Sequence, residues 1–307
     1  MRILLSGANG FIGSSLANLL VKEDPNIEIY CLCREGNRKN LDVTKNLHVI
    51  EHDLLEDNEP KGLPKKIDIV FHLAGISKTF LKPREARNQF IQNITLTSNV
   101  IEIANKLGAN KIIFASSVYV YSGTPNLPFK ETSELSPTEA LGGSKLASEL
   151  LLKSHSIASE TDIYALRLFT VYGPKSSETQ FFPEAIKKIQ NENEVAKFGS
   201  PDITRDFIYI SDVLEAFKKA MVLNKRGFLA INIASGAAHT VLQAVSLIQE
   251  LINPNKVINF EGINKNKKSV DSNHSADISV ANEILGWNPR VELKKGIELT
   301  LEAQRKK

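Results

Sequence analysis

The sequence predicts an α/β fold: a doubly wound, mostly parallel sheet with a smaller, discontinuous C-terminal region. Short β-branched runs alternate with longer helical patterns through the first half, the order that βαβ crossovers produce. The runs are largely apolar rather than alternating, as strands buried on both faces require. The first run passes directly into a glycine-rich turn and then a helical pattern.

Strands are predicted at 2–6, 27–33, 47–51, 67–73, 111–116 and 162–167. Helices are predicted at 13–23, 84–108 and 141–155, where apolar residues recur at helical spacing. Gly108 suits the C-terminal cap of the second. Right-handed crossovers assemble such units into a doubly wound sheet. After about Tyr172 the rhythm loosens, and loops rich in Gly, Pro, Ser and Asn separate shorter elements at 182–191 and 241–251. The stretches 206–223 and 228–234 again read as strand, helix, strand and are expected to return to the main sheet.

Composition narrows the classes. At 307 residues, 42% hydrophobic and 24% charged, the chain can bury a sizeable core. A net charge of +3, from 38 basic against 35 acidic residues, is too balanced for a surface that coats nucleic acid. The basic cluster Lys265, Lys267 and Lys268 reads as a solvated loop. Charged residues punctuate every hydrophobic stretch, so no membrane partner is expected. Gly7, Gly10 and Gly13 interrupt the apolar N-terminus, which argues against an export signal. Cys31 and Cys33 are too close along a strand to pair without strain, and free buried thiols point to a cytoplasmic location.

The segment Gly7-Ala8-Asn9-Gly10-Phe11-Ile12-Gly13 has the strand, glycine turn, helix context of a phosphate cradle. Small residues let the backbone approach a pyrophosphate, and free amides with the positive end of a helix dipole meet its charge. Gly13 permits close packing of helix on strand. The second strand ends Cys33-Arg34, with Arg38 and Lys39 close behind, where an acid would accept the ribose hydroxyls of NAD. Cations there suit a 2′-phosphate, so NADP is expected over NAD.

The G-x-x-G-x-x-G spacing, with Phe11-Ile12 inside it, resembles that of short-chain dehydrogenases. Further motifs follow in the family's order. His52-Asp53-Leu54 resembles an adenine-contacting turn, and Phe71-His72-Leu73-Ala74-Gly75 the strand end beneath the cofactor. Asn93 stands where the family keeps a structural Asn, and Ser116-Ser117-Val118-Tyr119 resembles the segment with the catalytic Ser or Thr, which maps onto Ser117. The run from Arg167 to Pro174 is similar to the segment flanking the nicotinamide, with Phe169 and Thr170 at cofactor positions and Thr170 replacing the usual Asn. Thr204-Arg205-Asp206-Phe207 resembles the segment whose Arg, here Arg205, holds the diphosphate of a nucleotide sugar. Leu285-Gly286-Trp287-Asn288-Pro289 is similar to the closing turn, where Trp287 reads as core. A second family Arg is missing before Asp277, where Lys268 and Asn273 stand instead.

The chain is thus similar to the extended short-chain dehydrogenase/reductase family, the Rossmann-type epimerases, dehydratases and reductases of nucleotide sugars. The resemblance implies a dinucleotide-binding domain of residues 1–171 joined by about 206–236, and a substrate-binding region of 172–205 and 237–307. It also implies a homodimer through the helices at 84–108 and 141–155. The implied cofactor contacts are Gly7, Asn9, Gly10, Phe11, Ile12, Gly13, Arg34, Asp53, Leu54, Leu73, Ala74, Gly75, Lys145, Phe169 and Thr170; the implied substrate contacts are Ser117, Tyr119, Thr170 and Arg205.

Family chemistry uses a Tyr-x-x-x-Lys pair on one helix face. Lys145 matches, but Leu141 occupies the tyrosine position. Leucine cannot donate a proton, and general acid–base catalysis is worth roughly 10² to 10⁴ in rate. Two readings follow. In one, an epimerase or 4-keto-sugar reductase uses Ser117, Lys145 and a relocated donor, another side chain such as Tyr119 or Tyr121 or a water. In the other, a catalytically weak binding protein has kept the fold. The family's 4,6-dehydratases place an Asp-Glu pair after the catalytic Thr, where Val118-Tyr119 stands here, so dehydration is not expected. The histidines lack ligand spacing and no G-x-S-x-G elbow is present, so neither a metal site nor hydrolysis is expected.

Overall fold

The computed structural model describes residues 1–36, 40–42, 44–56, 58–78, 82–260 and 273–305. The chain divides into two compact units. The first comprises Met1–Ser122, Glu134–Arg167 and Phe217–Ile231, and the second Gly123–Ser133, Leu168–Ala216 and Asn232–Lys307.

The first unit is built on a seven-stranded sheet of β1 (Arg2–Ser6), β2 (Glu28–Cys33), β3 (Leu47–Glu51), β4 (Ile69–His72), β5 (Lys111–Ser117), β6 (Asp162–Leu168) and β10 (Phe228–Ile233). Its order is β10-β6-β5-β4-β1-β2-β3. β1 pairs in parallel with β2 on one side and β4 on the other, so Leu4 faces both Tyr30 and Val70. The winding direction reverses at β1 and β4, and in an open sheet this reversal leaves a crevice at the carboxyl ends of the strands. All of β4 and β6 is buried, which is why their sequences are unbroken rather than alternating.

Helices cover both faces. Leu4, Leu32, Val70, Ile112 and Phe114 share a core with Val100 of α2 (Pro83–Lys106) and Leu152 of α3 (Ala140–Ser159). Phe71 points to the other face and meets Phe217 of α5 (Ile210–Val222) edge-on at 6.0 Å. α1 (Phe11–Glu23) packs on β1 and β2. Gly108 follows α2 at φ 64° and permits the terminal bond from Ala109 N to Ala104 O, 2.9 Å. α3 continues to Ser159, beyond the predicted end at 155, because Ser156 is buried and donates to Thr161 O at 2.6 Å.

The second unit holds β7 (Thr170–Tyr172), α4 (Phe181–Gln190), β8 (Ala196–Phe198), β9 (Thr204–Tyr209), β11 (Ala238–Thr240), α6 (Val241–Ile252), β12 (Ile258–Phe260), α7 (Ser279–Leu285) and α8 (Leu293–Arg305). Its sheets are β11-β9-β7 and β12-β8. β9 therefore does not return to the main sheet with the residues that follow it, contrary to expectation. Its buried Asp206 carboxylate accepts from Ser235 N and Ser235 Oγ, both at 2.7 Å, and from Gly236 N at 3.0 Å, which pins the strand within the second unit. Tyr172 stacks on Phe182 at 4.2 Å and donates to Leu293 O at 3.2 Å. Trp287 is core: it is buried and donates to Asp212 O at 2.9 Å.

Cys31 and Cys33 are buried and form no disulfide. Among the described residues no helix is long and apolar enough to cross a membrane, and no cluster of acid, His or Cys side chains could hold a metal ion. The basic cluster around Lys265 lies outside the described residues.

Candidate active site

The turn after β1 is shaped by missing side chains. Gly7 takes φ 72°, and a Cβ there would stand 2.6 Å from Ala74 N and from the Leu73 carbonyl carbon. A Cβ on Gly13 would stand 2.2 Å from Gly7 O. Both approaches are closer than any side chain allows, so the start of α1 and the end of β4 close on the same turn. Gly10 caps α1 without a side-chain bond, and no acidic residue occupies the first turn. The first-turn amides, including those of Phe11, Ile12 and Gly13, have no intrahelical acceptor. They form a positive end suited to an anion.

Asn9 is tied to the segment after β2. Its Oδ1 accepts from Asn40 N at 3.0 Å and its carbonyl from Asn40 Nδ2 at 2.9 Å, which ties the segment after β2 to the turn. Arg34 is exposed directly after β2; Arg38 and Lys39 lie outside the described residues. Asp53 accepts from Leu55 N at 3.0 Å, and His52 N donates to Cys33 O at 2.8 Å, so this turn sits beside the end of β2. The Leu54 side chain is in the core, leaving its backbone as the part that can line a site.

β4 and β5 bring the other expected residues in. A Cβ on Gly75 would lie 3.3 Å from Lys145 Nζ. Lys145 is buried on α3; its ammonium donates to Ala115 O at 2.7 Å and sits 4.7 Å from the centre of the Phe114 ring. Burial pushes its pKa down to about 8, and the Glu149 charge pulls the other way. Asn93 holds the neighbouring backbone, accepting from Ile76 N at 2.8 Å and donating to Ser144 Oγ at 2.9 Å. Ser117 ends β5 and accepts from Tyr119 N at 3.3 Å, opening a single 3₁₀ turn over Val118–Tyr121. Gly142 allows α3 to press on that turn, because a Cβ there would stand 2.2 Å from Tyr119 O. Leu141 is 3% exposed and offers no polar atom beyond its backbone.

The tyrosines separate. Tyr121 is fully buried and accepts from Arg167 Nη1 at 2.6 Å, so it belongs to the interior and not to a proton-donating surface. Tyr119 is half-buried on the same turn. What Tyr121 joins is not marked by any motif in the sequence. Arg167 Nε and Nη2 donate to the two oxygens of Glu149 at 3.0 and 2.7 Å, and Ser116 Oγ donates to the same carboxylate. Burial works against the Arg167 charge, and the bonds to Glu149 overcome it and hold the guanidinium above its ordinary pKa. The available signal was a lone Arg within the apolar run of β6 and an acid four residues after Lys145.

Phe169, Thr170 and Arg205 belong to the second unit. Phe169 is buried and Thr170 half-buried in β7. Arg205 on β9 faces His239 on β11 and donates to Thr204 O at 2.9 Å. Burial, with Arg205 nearby, pushes the pKa of His274 down to about 3.

This geometry agrees with comparison to known proteins. Residues 3–234 match the model of the NAD dependent epimerase/dehydratase family. The chain belongs to that family. Relatives of this epimerase/dehydratase-family chain include the dTDP-D-glucose 4,6-dehydratase of Bos taurus, 30% identical over 316 residues, which span 98% of this chain and 88% of the relative. An uncharacterized UDP-glucose epimerase, YtcB of Bacillus subtilis, is 30% identical over 310 residues, 97% and 96% of the two chains. Among solved structures, the UDP-glucuronic acid 4-epimerase of Bacillus cereus, in complex with UDP-glucuronic acid and NAD, matches with a TM-score of 0.86 at 26% identity, covering 100% and 99% of the two chains. The UDP-glucose 4-epimerase of Thermotoga maritima, with UDP-glucose, gives the same TM-score, identity and coverage.

Removing one partner of the interior ion pair tests its part in the fold. Glu149→Ala leaves the Arg167 guanidinium buried without its carboxylate, and a loss of roughly 3–5 kcal/mol in stability is expected. Urea denaturation monitored by circular dichroism measures it.

Proposed function

We propose that this chain is a nucleotide-sugar epimerase or 4-keto-sugar reductase that works with a bound nicotinamide dinucleotide. The observation that carries the reading is the approach of three backbone segments at Gly7 and Gly13, with the Lys145 ammonium buried beside Gly75. The turn fits a dinucleotide: a Cβ at either glycine would force apart the backbone segments that shape it, and the first-turn amides are donors without an acidic competitor. When bound, the cofactor supplies a hydride acceptor and donor. The first-turn amides of Phe11, Ile12 and Gly13 would bind its pyrophosphate, and the Lys145 ammonium would hold the ribose hydroxyls.

Ser117 orients the sugar hydroxyl, and Tyr119 holds and returns its proton in place of the phenol that Leu141 lacks. Tyr119 is suited to this because its backbone is fixed at several points. Ser117 Oγ receives its amide, Ser122 Oγ donates to its carbonyl at 3.1 Å, and Gly142 closes on the same carbonyl. A fixed donor needs no reorganisation when the proton moves. Val118 and Tyr119 supply no carboxylate after Ser117, which favours epimerisation or reduction over dehydration. Arg205 is assigned to the substrate diphosphate.

The test is incubation with a panel of UDP-, dTDP- and GDP-sugars and their 4-keto forms, with either cofactor. Turnover of one class is expected, and binding without turnover across the panel would overturn the enzyme reading. With a substrate in hand, Tyr119→Phe is expected to lower kcat by roughly 10² to 10⁴ with KM little changed.

Arg34 supports NADP over NAD. A fluorescence titration is expected to show NADPH binding several-fold tighter than NADH, on the order of one added phosphate–arginine contact; tighter NADH binding reverses the preference.

Lys145 gives a pH dependence with a definite sign. Its folded pKa of about 8 lies below the 10.5 of an ordinary lysine. The folded chain therefore gains stability as pH rises through that interval, while the charge that grips the cofactor disappears. Cofactor affinity is expected to fall as pH rises through about 8, and Lys145→Met to lose that dependence, both read by titration calorimetry.

Phe90 and Ile91 on α2 and Leu150, Leu151 and Ile157 on α3 are exposed, Ile157 at 77%. This apolar surface supports a homodimer through the two helices. Leu150→Lys with Ile157→Lys is expected to give a monomer in sedimentation equilibrium, and an unchanged mass would remove these helices from the interface.

A further inference from the structure

His72 closes β4 and is fully buried, yet both ring nitrogens have partners. Nδ1 lies 2.8 Å from Ser6 Oγ, and Nε2 lies 3.0 Å from Thr97 Oγ1. Ser6 Oγ also accepts the Ala74 amide at 3.3 Å, while the Ser6 carbonyl accepts the Leu73 amide at 3.1 Å. Thr97 Oγ1 also lies 3.0 Å from the Asn93 carbonyl and 2.9 Å from Ser148 Oγ.

Counting protons fixes the ring. Each hydroxyl carries one hydrogen, and a neutral imidazole carries one N–H. The Ala74 amide can only donate, so the Ser6 hydrogen remains available for Nδ1. Thr97 gives its hydrogen to the Asn93 carbonyl or to Ser148, and its lone pairs then receive the ring N–H. Placing the ring hydrogen on Nδ1 instead leaves the buried Ser6 hydroxyl hydrogen without an acceptor among its described partners, an arrangement that costs a full desolvation penalty. Protonating both nitrogens has the same defect and adds a charge where burial and the nearby Lys145 oppose it.

We propose that His72 is a positioning residue held as the neutral Nε2–H tautomer, relaying an ordered run of hydrogen bonds from the Ala74 amide through Ser6 and Thr97 to α2 and α3. Ser6 immediately precedes Gly7, and Ser148 stands less than one turn after Lys145 on α3. Asn93 adds a parallel tie through Ser144 and Ile76. The run therefore joins the strand ends that form the glycine turn to the helix that presents the ammonium. Its consequence for cofactor affinity rests on the dinucleotide reading of the site; the state of the ring does not.

Nitrogen-15 NMR of the full chain, selectively labelled at histidine and near neutral pH, reads the ring directly. A protonated Nε2 and an unprotonated Nδ1 are expected for His72, with the signals assigned by their loss in His72→Gln. Thr97→Val keeps the side-chain shape and removes the Nε2–H acceptor. In that variant the Nε2–H loses its acceptor, so its proton is expected to exchange with water faster, the Ala74 amide to exchange about tenfold faster, and NADH or NADPH to bind about tenfold more weakly. Thr97→Ser is expected to restore all three. A wild-type ring protonated on Nδ1 or on both nitrogens overturns the proposal, and so does unchanged Ala74 exchange in Thr97→Val. Should Thr97→Val not fold, the wild-type spectrum decides alone. If the wild-type chain binds neither cofactor, the dinucleotide reading fails while the ring and amide measurements still decide this one.

Discussion

The first unit depends on one steric constraint: three backbone segments meet where no Cβ fits. Gly13 lies against the Gly7 carbonyl, and Gly7 against the Leu73–Ala74 peptide. A methyl group at either position would separate the start of α1 from β1, or β1 from the end of β4. The helix amides, the strand ends and the crevice at the sheet's point of reversal are all placed by that approach. It costs conformational entropy in the unfolded glycines, which the buried sheet around it offsets.

Two buried cations stand close together in the sequence of events from β5 to β6, and the fold treats them differently. Arg167 is matched by both oxygens of Glu149 and by the Tyr121 hydroxyl. That pairing satisfies the charge and fixes it, which suits an interior support. Among the described residues Lys145 has one carbonyl partner, Ala115, and the face of Phe114. Its charge is left less compensated, and its pKa falls to about 8.

The family comparisons and Leu141 act on different levels of the problem. Relatives include dehydratases, epimerases and decarboxylases of nucleotide sugars, so membership sets the scaffold and leaves the reaction to the residues after β5 and at the start of α3. There the chain keeps Ser117 and Lys145 and buries an apolar side chain between them in sequence. Tyr119 is held on the neighbouring turn through its backbone.

By itself the sequence determined the alternation of strands and helices, the glycine turn, and the family's ordered motifs, because each depends on residues within one short segment. Buried strands announce themselves by unbroken apolar runs, and a turn that requires positive φ announces itself by glycine. Only the tertiary structure decided that β9 joins the second unit, that Asn9 holds a loop, that Leu54 is core and that Tyr121 belongs to an ion pair. It alone brought Ser6, His72, Thr97 and Ser148 into one run of bonds. Those outcomes depend on which polar groups distant segments bring together, and a buried hydrogen bond is chosen by what else is within reach in three dimensions, not by spacing along the chain.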